Sequence, residues 1–156
     1  LRNAQRLHNL GLKMAEVKQS VLVPYSAARM FDLVDAVEQY PQFLPWCDGS
    51  ELIYRRPDEL SAVLHVNFRG IRQQFSTRNS RRVPFEMGIE LVNGPFKSLR
   101  GFWRFTELAG AGCKVEFELH WEFSSRVLST LVGPVFNHIA STMVDAFVSR
   151  AEKLYG

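Results

Sequence analysis

Four ionisable residues at every second position, Glu116, Glu118, His120 and Glu122, are of the types a general acid/base centre uses, because a carboxylate beside an imidazole can pass a proton near neutral pH. Their spacing argues otherwise. Period two places all four on one side of a strand, with Val115, Phe117, Leu119, Trp121 and Phe123 on the other. A catalytic carboxylate needs a desolvated cleft to tune it. This side reads as solvated and charge-paired, with Arg100 and Arg104 of the preceding strand as cross-strand partners. Cys47 follows Trp46 but has no neighbouring histidine to serve as its base. His65 falls on the polar side of a strand, and His138 and Asp145 stand seven apart along a helix. Two cysteines 66 residues apart without a His-x-x-x-His pair make a poor zinc set. No catalytic residue, metal ligand or cofactor is assigned, and the chain reads as a non-enzyme.

Polar residues among apolar ones are more informative. Gln73 and Thr77 share the inward parity of Ile71 and Phe75, and Thr142 lies in the apolar stripe of the last helix. Groups placed there must hydrogen-bond. Backbone or water is one partner, and the polar head of a bound ligand is the other; the spacing leaves both open.

The elements that would position these residues follow from periodicity. Val17, Val21 and Val23 mark a first strand ended by Pro24, and Ser26 caps a helix to about Val37 with Met30, Phe31 and Val34 in its stripe. Tyr40 to Cys47, with Pro41 and Pro45 among four large apolar side chains, reads as a short helical or irregular lid. After the Asp48-Gly49 turn signal come strands at Ser50 to Arg55, around Leu60 to Phe68, and from Ile71 to Arg78 past Arg69-Gly70. A further strand turns Phe85, Met87, Ile89 and Leu91 inward and ends at Asn93-Gly94-Pro95. Lys97 to Phe123 forms two half-buried strands across a glycine turn. The run from Ser125 to Tyr155 is the one segment long enough to cover them, with Val135, Phe136, Ile139, Met143, Ala146, Phe147 and Leu154 in its stripe, and Gly133-Pro134 predicts a kink or a second start. The expected fold is α+β, a curved antiparallel sheet wrapped around a long C-terminal helix, with an internal hydrophobic cavity suited to an apolar small molecule.

At 156 residues and 46% apolar, residues 14–156 suffice for one domain with a real core, and residues 1–13 read as a leader or start-site extension outside it. Cys47 and Cys113 alone point to a reduced, cytoplasmic compartment. No apolar run approaches the roughly 18 residues of a membrane span. The net charge of +3 hides a local +5 between Arg55 and Arg82. Such a patch favours an anionic partner, RNA or an acidic membrane surface touched peripherally, though arginines also serve as plain solvated faces.

Taken together, Val23-Pro24-Tyr25-Ser26-Ala27, Tyr40 to Cys47, Asn93-Gly94-Pro95-Phe96-Lys97 through Trp103-Arg104-Phe105-Thr106, and Met143-Val144-Asp145-Ala146-Phe147 through Arg150-Ala151 resemble the START-like ribosome association toxin (RatA) and ubiquinone-binding protein family of bacteria and mitochondria. That resemblance implies a helix-grip fold and two functions. One is binding ubiquinone, or a related isoprenoid lipid, in support of respiration. The other is binding the large ribosomal subunit and hindering subunit joining; oligoketide cyclase activity rests on fold analogy alone. On this reading a tail would be buried by Leu64, Val66, Ile71, Phe75, Leu99, Trp103, Phe105, Phe117, Leu119, Trp121, Phe136, Ile139 and Met143. Gln73, Thr77 and Tyr54 would meet the quinone oxygens, and Arg69, Arg72, Arg78, Arg81 and Arg82 would contact RNA phosphates.

Overall fold

The computed structural model describes residues 14–156, so the leader reading of residues 1–13 lies outside it. Seven strands form one antiparallel sheet: β1 (Met14–Val23), β2 (Cys47–Arg55), β3 (Glu59–Phe68), β4 (Ile71–Arg82), β5 (Glu86–Asn93), β6 (Phe96–Glu107) and β7 (Cys113–Phe123). Their spatial order is β1-β7-β6-β5-β4-β3-β2. Between β1 and β2 the chain crosses from one sheet edge to the other through α1 (Ala27–Asp35) and a short 3-10 helix (Val37–Gln42). The C-terminal helix α2 runs from Arg126 to Tyr155.

Alternation sets the sheet's two sides. Along β7 every odd residue is buried and every even one half-buried, which is the pattern of a strand covered on one side. Opposite it, Gly101 of β6 allows close approach, because a Cβ there would lie 2.0 Å from the Glu118 carbonyl oxygen. Arg69 and Gly70 take positive φ values of 50° and 80° in the tight turn between β3 and β4. Ser26 and Ser125 cap the two helices, accepting from the amides of Arg29 and Leu128.

Four local expectations need correction. α1 ends at Asp35 rather than Val37, and the Tyr40–Cys47 stretch opens within the 3-10 helix. Phe85 is not inward: its amide bonds the Arg82 carbonyl in a turn at 2.7 Å, β5 begins one residue later, and the ring stays exposed. Gly133-Pro134 does not start a second helix. α2 is continuous, and both Pro134 and Thr130, whose carbonyl loses its amide partner, face outward where water can serve it. Leu154 is exposed, and Ala140, Val144 and Ala151 are buried in its place. By length and mean hydropathy (1.3) α2 would also pass as a membrane span, contrary to expectation; those are equally the properties of a helix laid on a sheet, which is where its buried residues place it.

Candidate functional site

Two aromatic clusters hold α2 against the sheet, each centred on one of its phenylalanines. Phe136 meets Phe96 at 4.9 Å, Trp121 at 5.1 Å and Phe75 at 6.1 Å between ring centroids. Phe147 meets Trp103 at 5.1 Å, Phe43 at 5.1 Å and Tyr40 at 5.4 Å. Eleven residues is close to three helical turns, so both rings share one side of α2, about 16 Å apart. Ile139 and Met143 lie between them on that side and form the roof of a cavity of about 70 Å³.

The floor of this cavity comes from the concave side of the sheet, and its end wall from α1 and the segment after it. Leu64 of β3, Phe75 of β4, Leu99 and Trp103 of β6, and Phe117 and Leu119 of β7 line the floor. Tyr40 and Trp46 close the end, so the Tyr40–Cys47 stretch does cover the interior. A volume of 70 Å³ holds a handful of waters and falls well below the roughly 300 Å³ of a typical small-molecule site. Edge-to-face aromatic packing at both ends is what leaves so little room, and a larger guest must displace side chains. Met143, unbranched and only half-buried, is the most adaptable of them.

Two polar side chains enter this apolar space. Thr77 and Asn79, two apart on β4, are 6% and 8% exposed and both line the cavity. The Thr77 hydroxyl donates to Asn79 Oδ1 at 2.7 Å, and Ser61 Oγ donates to the Thr77 carbonyl at 3.0 Å. Asn79 continues the parity of Ile71, Gln73, Phe75 and Thr77; sequence reasoning stopped one step short of it.

Several expected lining residues lie elsewhere. A register shift between Leu52 and Tyr54 takes Tyr54 off the inward parity; its hydroxyl donates to Glu59, and Arg56 stacks 4.1 Å over its ring. Gln73 sits at the far end of β4, in a shallow groove with Asp48 and His65. Thr142 returns its hydroxyl to the His138 carbonyl at 2.8 Å. Val66, Phe105 and Trp121 are buried but do not line the cavity, and Ile71 is half-buried beside the β3–β4 turn.

Three of the four residues on the acid-rich strand face, Glu118, His120 and Glu122, are charge-paired, with different partners from those expected. Arg104 turns to Glu86, opposite it on β5, at 3.2 Å. His120 joins Glu118 at 2.8 Å and Glu16 at 3.3 Å, and Glu122 takes Lys97 at 3.4 Å. The His120 contact holds the Glu118 carboxyl below its ordinary range. Cys47 and Cys113 are buried and free, and burial pushes both thiols up to about 11, which leaves them protonated and poor nucleophiles at neutral pH. Among the described residues no group of three or more His, Cys, Asp or Glu could hold a metal.

The arginines divide. Arg81 is structural: its guanidinium pairs with Asp35 through two bonds (2.8 and 3.2 Å) and donates to the Arg56 carbonyl at 2.6 Å. Its expected place among RNA contacts is corrected on that ground. Arg69, Arg72, Arg78 and Arg82 are exposed, the last two loosely paired with Glu90 and Glu86.

Residues 23–148 match the model of the polyketide cyclase / dehydrase and lipid transport family. The ribosome association toxin RatA of Vibrio cholerae is 43% identical over 143 residues, covering 92% of this chain and 99% of the Vibrio protein. This chain belongs to that family. A mitochondrial coenzyme Q-binding protein of Xenopus laevis is more distantly similar, 29% identical over 94% of this chain and 62% of its own length. A Streptomyces aromatase/cyclase superposes with a TM-score of 0.76 at 16% identity, over 92% of this chain and 96% of its own, and shares the fold. The START-like helix-grip fold of the family is thus the one this sheet and helix build.

Proposed function

We propose that this member of the family binds an isoprenoid quinone, of the ubiquinone type, between the sheet and α2, without catalysing its conversion. The observation that carries this reading is an apolar cavity containing one buried polar pair, Thr77 and Asn79. Apolar walls with a few placed polar groups are the usual division of labour in ligand sites. Each Å² of tail removed from water contributes about 25 cal/mol, and displacement of Met143 is the least costly way to admit it. The coenzyme Q-binding relative supports the same ligand class. Titrating the protein with a short-chain ubiquinone should quench tryptophan fluorescence, since Trp46 and Trp103 line the cavity. Met143→Trp, which fills the space, should bind at least tenfold more weakly. No saturable quenching in the native protein refutes the reading.

A second reading rests on a separate observation, the 43% identity to a ribosome association toxin along nearly its whole length. In it, exposed Arg69, Arg72, Arg78 and Arg82 contact phosphates of the large ribosomal subunit from the outer surface. The two surfaces are distinct, so neither function excludes the other.

A further inference from the structure

We infer that Asn79 is the hydrogen-bond donor that recognises the ligand, and that the ligand therefore presents an acceptor, a carbonyl oxygen, to the cavity. This rests on the ligand-binding reading above and adds the polarity of the site to it. The Thr77 hydroxyl donates to Asn79 Oδ1 at 2.7 Å, which fixes the amide plane and leaves Nδ2 as the free end. Among the described residues Nδ2 has no hydrogen-bond partner. Nor is it sealed within the protein, since the one enclosed side-chain polar atom without a partner among those residues is Gln19 Oε1. With the Asn79 side chain buried and lining the cavity, the open space beside Nδ2 is the cavity.

An amide N–H₂ in apolar surroundings favours a guest that accepts, because leaving it unmet costs more than the bond itself gains. The hydroxyl groups of two neighbours are already committed. Ser61 donates to the Thr77 carbonyl, and the Tyr40 hydroxyl donates to the Val34 carbonyl. Asn79 is thus the side-chain amide donor available to an oxygen in this space, beside the indole N–H groups of Trp46 and Trp103, and Thr77 is its positioning residue. A quinone carbonyl oxygen satisfies it, whereas a hydrocarbon does not.

The test titrates the native protein, Asn79→Leu and Thr77→Val with a short-chain ubiquinone and with farnesene, an isoprenoid hydrocarbon lacking oxygen. Asn79→Leu should lose about tenfold in affinity for the quinone, the scale of one buried hydrogen bond, and keep or improve its affinity for farnesene. Thr77→Val should lose less, since it frees the amide to rotate without removing the donor. In case Asn79→Leu fails to fold, the infrared carbonyl stretch of the quinone bound to native protein gives an independent readout; it should move to lower wavenumber than in hydrocarbon solvent. Equal quinone affinity in Asn79→Leu, or an unshifted stretch, overturns the assignment of Asn79 while leaving quinone binding intact. Failure of the native protein to bind either probe overturns both.

Discussion

Arg81 and Arg82 are neighbours of identical chemistry with opposite fates. Removing Arg81 would leave Asp35 half-buried without its bidentate partner and two carbonyls without a donor. Arg81→Ala should therefore lower stability by about 2 kcal/mol in urea unfolding, and Arg82→Ala should stay within about 0.5 kcal/mol. The thiols supply a pH prediction. Because burial raises both from 9.0 to about 11, the folded protein holds protons that the unfolded chain gives up. Their contribution is complete below about pH 9 and is lost as the pH climbs to about 11. The urea midpoint should fall across that window, and fall less in a Cys47→Ala, Cys113→Ala double variant. Parity in the sequence revealed Thr77 as an inward polar residue. It could not place Tyr54, because a shift in pairing register leaves no mark in residue types, and Arg81 looked like its neighbours because its partner lies 46 positions away.

At the scale of elements, the strands were legible wherever one side is covered, since burial on one side imposes alternation. β7 is the clearest case, and its register with β6 follows. The helix stripe at 136, 139, 143 and 147 was legible too, but the extent of its packing was not: alternation says that Phe136 and Phe147 face the sheet, not that their rings close both ends of the hollow. Phe147→Ala should remove one closure and cost about 3–5 kcal/mol, read by thermal unfolding. Gly101→Ala should cost at least about 1–3 kcal/mol, because its methyl would strike the Glu118 carbonyl. The uninterrupted helix through Pro134 was missed because the sequence does not say that Thr130 and Pro134 point to water.

For the whole molecule, one sheet and one helix enclose an apolar interior, and the exposed arginines of β4 and the β3–β4 turn give a basic surface outside it. If that surface serves ribosome association, co-sedimentation with large subunits should weaken steeply with salt and vanish on changing Arg69, Arg72, Arg78 and Arg82 together to Glu; Arg81 must be left alone. The interior carries the central claim. Protein purified from a quinone-producing bacterium and extracted with organic solvent should yield ubiquinone by mass spectrometry, in amounts that rise with protein and drop sharply for Met143→Trp. An extract without quinone, or one equally rich from the variant whose cavity is filled, would contradict it.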